Sequence, residues 1–378
     1  MGMPIRARRL LTESGWRDQI AVYIENGQIL ALEHIESDQW DADILIPALI
    51  DTHVHGGAGV DVMDGNHHAL EKLSQYLARQ GVGAFLATTV TAPMDDIETA
   101  LRQVAHSMQQ GLSGAELLGS YLEGPYFTPQ NKGAHPASLF RTANPEELDH
   151  LITVSENSLK VVALAPEQPF ALETIQHLKT RGINVMLGHT AADYSTTLAA
   201  LDAGADGLVH CFNGMKGIHH REPGTVGAGL SHDSAVIELI ADGHHVHPAV
   251  MKMCCRCAPD RLVLISDAMR AAGMPDGEYQ LGETQVTMKD GIVRTSSGGL
   301  AGSTLSLSCA IQNMVAQAGQ PLEKAVEMAS LIPARLLGID DRLGSIVPGK
   351  TASLVALNHD LQVVSTWVQG KQVWTAPV

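Results

Sequence analysis

The stretch that decides the fold is "LIPALIDTHVHGGAG", residues 45–59: an apolar run, an acid, two histidines separated by one residue, then glycines. In an extended strand, residues i and i+2 point to one side about 6.5–7 Å apart, so His53 and His55 aim two imidazoles at a common point. Taken alone, the pair fits a metal-binding strand end and a polar turn equally well. Seven more short apolar runs follow: "AFLATTV", "LLGSYLEG", "LKVVALAP", "INVMLGH", "GLVHCF", "AVIELIAD" and "LVLISDAM". Between them lie longer stretches with helical periodicity that end in glycine, such as "HHALEKLSQYLARQG" and "MDDIETALRQVAHSMQQG". Eight alternating units predict an α/β fold, a (β/α)8 TIM-type barrel. Strand counting does not prove closure, so an open doubly wound sheet satisfies the same pattern.

Outside this region the pattern changes. "VYIENGQILALE" near one end and "VVSTWVQGKQVW" near the other both read as strand, Gly-containing turn, strand, and "QVTMKDGIVRT" at 285–295 repeats the pattern far from either. The expected organisation is a small β-sandwich domain from residues 1–47 and 347–378, and a catalytic barrel over 48–346 with an inserted hairpin near 277–297.

Composition narrows the function. The 378 residues are 45% hydrophobic and 17% charged, without low-complexity runs, as in a compact globule. A formal charge of -16 argues against a nucleic-acid partner or an anionic membrane surface, so an anionic ligand needs a local basic pocket. "MGMPIRARRLL" has basic residues but no apolar region after them, and no run approaches the ~20 apolar residues of a membrane span. A cytoplasmic location is the default expectation. Of five cysteines, Cys254, Cys255 and Cys257 are bunched in "MCCRCA", which resembles neither a disulfide framework nor a zinc finger, because no second Cys or His pair stands at finger-like spacing.

Barrel chemistry is built at the C-terminal ends of the strands, where the loops face one cavity. Here those ends present His53 and His55, Glu123, His189, His210, Asp242 and Asp267. His189 and His210 each close a separate run with an imidazole that borderline divalent metals accept, which favours ligation by the His53–His55 pair as well. Glu123 reads as a carboxylate ligand or as a buried acid beside the Gly124–Pro125 turn. Asp267 reads as a proton shuttle beside a metal or as a helix N-cap. His219, His220 and Arg221 form a phosphate clamp or a solvated basic loop. Among His244, His245 and His247, surface exposure is expected for His247 and His244. His135, in "NKGAHP", follows the third run within reach of the same cavity. In "LAGSTLSL", residues 300–307, Ser303 is expected to cap the following helix.

Taken together, "LIDTHVHG", "YLEGPYF" with "KGAHP", "LGHTAA", "VHCFNGM", "HHREPG", "ADGHHVHP", "ISDAM", "LAGSTLSL", "IPARLLGI" and "GSIVPGKTASLVAL" resemble, in this order, the N-acetylglucosamine-6-phosphate deacetylases of the amidohydrolase superfamily. The resemblance implies hydrolysis of N-acetyl-D-glucosamine 6-phosphate to D-glucosamine 6-phosphate and acetate, in amino-sugar catabolism or cell-wall recycling. It implies a main metal site of Glu123, His189 and His210, with a water completing the shell, and Asp267 as general base and then general acid. His135 would help polarise the acetamide carbonyl. Asn213, the Gly214 N–H, Arg221 and His245 would bind the phosphate, with Arg221 reaching across a homodimer. Well-known members with Gln and Asn at positions 53 and 55 use one metal. The pair in this chain opens a second site, so one or two divalent ions per subunit are implied, zinc first, then iron or another. Gly214 stands where relatives often carry Ala, a difference expected to matter little if only the backbone is used. The alternatives are another metal-dependent amidohydrolase, acting on a cyclic amide or an amino group on a base, and a non-catalytic metal-binding member.

Overall fold

The computed structural model describes residues 3–377. Eight parallel strands form one sheet in sequential order: Leu49–Val54, Val82–Thr88, Glu116–Glu123, Leu159–Leu164, Asn184–Leu187, Gly207–Leu208, Val236–Leu239 and Leu262–Leu264. They are the eight apolar runs of the sequence. The ring is completed where Val54, ending the first strand, bridges in parallel to Ala268 beyond the eighth, with the Asp267 N–H donating to His53 O at 2.9 Å. That bridge decides between barrel and open sheet.

The helices form where capping and periodicity call for them. His67–Arg79 starts at Asn66, whose side chain accepts from the Ala69 N–H, and buries Leu70, Leu73 and Leu77 on one face. Met94–Gln110 likewise buries Ile97, Leu101 and Val104 and stops before Gly111. Inside the ring Ile50, Leu86, Tyr121, Val161, Ala163 and Met186 fill the lower barrel. Leu49 and Val54 face outward onto the helices. Ile50 and His53 can both point inward only because the first strand slips register between Asp51 and Val54, an irregularity that resets the alternation and re-aims the histidine.

The chain ends pair into one mixed sheet of seven strands, in the order Lys371–Thr375, Val363–Val368, Leu354–Leu357, Ala42–Pro47, Ile5–Thr12, Gly15–Glu25, Gln28–His34. Its core contains Leu10, Ile20, Leu45, Leu354 and Trp367. The hairpins turn on Asn26-Gly27 and Gln369-Gly370, with positive φ at both residues of each pair, the geometry that matches the twist of the strands. The sheet curls until these turns meet: a Cβ on Gly370 would lie 3.0 Å from Gly27 Cα. The segment at 285–295 is a hairpin joined by a third strand, Gly277–Leu281. No helix among the described residues is long and apolar enough to cross a membrane.

Candidate active site

At the mouth of the barrel a cavity of about 310 Å³ is lined by His55, Glu123, His135, His189, His210, Asn213, Gly214, His245 and Asp267, among others. A larger groove of about 920 Å³ lies between Gln75–Leu117 and the C-terminal strands and carries none of these groups. The chemistry is therefore at the smaller opening.

The strand ends hold their side chains by unusual backbone. His189, His210 and Asp267 have φ of 45°, 24° and 48°, a left-handed region that side-chain-bearing residues enter only when the surroundings impose it. Each is at the point where a strand breaks off into its loop, and the turn swings the side chain over the barrel axis.

The atoms meet closely. His210 Nε2 is 3.1 Å from both Glu123 Oε1 and His189 Nε2, and His189 Nε2 is 3.4 Å from Glu123 Oε1. Ligands 2.0–2.1 Å from a tetrahedral ion lie about 3.3 Å apart along an edge. His55 Nε2 is 3.2 Å from Glu123 Oε2, so the two oxygens of Glu123 divide between His189–His210 and His55. His53 Nε2, fully buried, has no hydrogen-bond partner, with Glu123 Oε1 at 3.5 Å and Asp267 Oδ1 at 3.7 Å. Among the described residues, two groups can hold an ion: Glu123, His189 and His210, and His53, His55 and Glu123.

The outer ring nitrogens show which way each imidazole is set. Nδ1 of His189 meets Asn131 O at 3.1 Å, Nδ1 of His210 meets Asn213 O at 3.1 Å, and Nδ1 of His55 meets Thr88 O at 3.2 Å. A carbonyl only accepts, so each Nδ1 carries a proton, which leaves Nε2 as the nitrogen whose lone pair would meet an ion once any proton there is displaced. His135 is reversed. Its Nδ1 accepts from the Thr91 N–H at 3.3 Å, which leaves the proton on Nε2, 3.5 Å from Glu123 Oε2. His135 is thereby a donor into the cavity. The residues fit a divalent cation, with the Nε2 atoms of His55, His189 and His210 turned toward one another and toward Glu123, and with His135 presenting a hydrogen.

Charge follows the same geometry. Burial works against ionised Glu123, but the charge of His53 and the close approach of the His135, His189 and His210 rings hold it well below the usual carboxylate range. For Asp267, burial is outweighed by the His55 hydrogen bond and the charges of His53, His55 and His210, which bring its pKa to about 2. Burial and the His135 charge push His189 down to about 4. Against the same burial, Asp267 and Glu123 raise His55 to about 10.

His245, Asn213 and Gly214 line the same cavity. Asp242 Oδ2 holds His245 Nδ1 at 2.6 Å, and its Oδ1 accepts the backbone N–H groups of His244 and His245 at 2.8 Å. Asp242, one of the acids noted at strand ends, thus sets the His245 ring. Gly214 has φ 62°, and a Cβ there would sit 2.8 Å from His189 Nδ1. An alanine Cβ at this position would press on the ring of a metal-facing histidine. Arg221, on an exposed loop, does not line this chain's cavity. His244 and His247 are exposed, and His247 caps the helix Pro248–Cys257.

Ser303 does not cap a helix; Ser306 caps Leu307–Ala316 instead. Ser303 ties down the Asp267 loop, its N–H donating to Asp267 O at 2.7 Å and its hydroxyl to Ser266 O at 2.5 Å. Sequence reasoning also passed over Thr91, which sets His135, and Glu238, whose carboxylate lies 3.2 Å from His53 Nδ1. Glu238 had left a signal, since an acid inside "AVIELIAD" interrupts a strand that should be apolar on both faces.

The comparisons agree with the geometry. Residues 44–373 match the model of the amidohydrolase family. The chain belongs to that family. This amidohydrolase is 60% identical over 369 residues to an N-acetylgalactosamine-6-phosphate deacetylase of Escherichia coli O157:H7, covering 97% of this chain and 98% of the relative. It is 53% identical to an N-acetylglucosamine-6-phosphate deacetylase of Vibrio furnissii, over 98% of this chain and 95% of the relative. Among solved structures it is similar, with a TM-score of 0.93 and 32% identity over 99% of both chains, to an aspartate-to-alanine mutant of N-acetyl-D-glucosamine-6-phosphate deacetylase from Mycobacterium smegmatis in complex with N-acetyl-D-glucosamine-6-phosphate. The amidohydrolase described here is an enzyme of this deacetylase group.

Proposed function

We propose that the protein hydrolyses N-acetyl-D-glucosamine 6-phosphate to D-glucosamine 6-phosphate and acetate, a step of amino-sugar catabolism or cell-wall recycling in the cytoplasm. The observation that carries the reading is the convergence of three ligand atoms, a buried carboxylate and a reversed histidine on one cavity that His245, Asn213 and Gly214 also line.

Glu123, His189 and His210 would hold a divalent ion, zinc first, with iron or another divalent metal as alternatives. Such an ion supplies Lewis-acid polarisation of the acetamide carbonyl and makes water a better nucleophile. Asp267, ionised at neutral pH, takes the proton of the attacking water and then delivers it to the amine nitrogen as the C–N bond breaks. His135 donates its Nε2 hydrogen to the carbonyl oxygen as negative charge gathers there. His245, Asn213 and the Gly214 N–H grip the phosphate. Arg221, outside its own chain's cavity, would complete the grip from the neighbouring subunit of a homodimer.

A second reading, N-acetyl-D-galactosamine 6-phosphate, is favoured by one specific observation: the 60% identical relative carries that name. Acetate release from the phosphorylated gluco, galacto and manno forms, and from unphosphorylated N-acetylglucosamine, separates the readings. Fastest turnover of the phosphorylated gluco form is expected. No acetate from any phosphorylated sugar would end the proposal, and equal turnover without phosphate would remove the phosphate role of His245, Asn213 and Gly214.

A further inference from the structure

Glu238 is a buried charge that the proposed reaction leaves without a task. It lies in the seventh barrel strand, Val236–Leu239, with 0% exposure. Oε2 meets His53 Nδ1 at 3.2 Å and the His210 N–H at 3.4 Å, while Oε1 has no hydrogen-bond partner. Taking a carboxylate out of water costs several kcal/mol unless a cation or good donors offset it. Among the described residues, every ion-pair partner of Glu238, Glu123 and Asp267 is a histidine, never a lysine or arginine. Asp51, also 0% exposed, lies in the same strand as His53 and has an unpartnered Oδ2. Three acids thus face the cluster of histidines with no lysine or arginine among their ion-pair partners, and divalent ions would supply the missing positive charge.

We propose that Glu238 is the positioning residue of a second cation site made by His53, His55 and Glu123, accepting the His53 Nδ1 hydrogen so that the Nε2 lone pair meets the ion. The inference rests on the reading of the barrel mouth as a divalent-metal centre. The outer nitrogens of His55, His189 and His210 are held by neutral carbonyls, whereas that of His53 is held by a carboxylate. A carboxylate behind a ligating imidazole fixes the ring and raises its basicity, and removing such a partner typically weakens metal binding 10–100-fold. The orphaned Nε2 of His53 is the atom left facing the ion.

The test is zinc binding by chelator-stripped protein, followed by calorimetry and elemental analysis, for wild type, Glu238→Gln and Glu238→Leu. Wild type is expected to take two equivalents. Glu238→Gln, which keeps an acceptor but loses the charge, should weaken the second equivalent about 10-fold, and Glu238→Leu about 100-fold, with the first equivalent unchanged in both. One equivalent in wild type would overturn the two-ion reading itself. Two equivalents in wild type with an unchanged second affinity in either folded variant would overturn the role of Glu238 alone. The near-isosteric Gln variant keeps the question answerable if Leu at the buried position prevents folding.

Discussion

The two ion-holding groups at the barrel mouth share Glu123 and use the same chemistry, yet they are built differently. His189 and His210 come from the ends of two strands, in left-handed backbone, and are backed by carbonyls. His53 lies in the first strand and His55 just past its end, two residues apart, and His53 is backed by a carboxylate and sealed from solvent. The difference teaches that one group is assembled from loop-forming ends of two strands, while the other is supplied by a single strand end whose register slip turns His53 inward. It also separates their neighbours: the second group, through His55, is the one next to Asp267, at 3.2 Å.

Variants can break or sharpen this contrast. Glu123→Ala removes the one ligand common to both groups, so metal content should fall to near zero and kcat/KM by at least about 10³-fold; substantial retained zinc would mean that the groups do not depend on a shared carboxylate. Asp267→Asn should lower kcat by about 10²–10⁴-fold while leaving metal content intact, measured by acetate release and elemental analysis. Full turnover there would move the proton shuttle elsewhere. Replacing His53 and His55 together by Ala should remove about one equivalent of metal while lowering kcat only about 10-fold, since the His189–His210 group survives. Equal losses from this pair and from His189→Ala would erase the distinction between the sites.

Smaller effects probe the walls. Asp242→Asn loosens His245 without touching an ion, so KM should rise about 10-fold with kcat nearly constant. A drop in kcat at unchanged KM would place His245 in the chemical step instead. Leu45→Ala, buried in the core of the terminal sheet, should cost about 2–5 kcal/mol of stability in denaturant unfolding and leave the folded enzyme's turnover unaltered. A changed turnover would show that the small sheet communicates with the barrel mouth.

Much of this was legible in the chain because parallel barrel strands are buried on both faces and stand out as apolar runs. The residues that close those runs are the ones that meet at the cavity. The outer partners were not legible. Thr91 sets His135 from 44 positions away, and Glu238 sets His53 from 185 away, separations that no local pattern reports. Ser303 was misplaced for a similar reason: a serine before a helix is a cap by default, and only the closing of the ring against the Asp267 loop gave it another partner.

By itself the sequence determined the alternation of strand and helix, the positions of the imidazoles and acids at strand ends, and the hairpin turns, because periodicity and turn chemistry are local. The tertiary structure decided that the sheet closes, that a register slip turns His53 inward, and that His55, His189 and His210 turn Nε2 toward the cavity while His135 faces it with a hydrogen. Those outcomes depend on which oxygen or nitrogen stands behind each ring, and that atom is brought there by closure of the barrel.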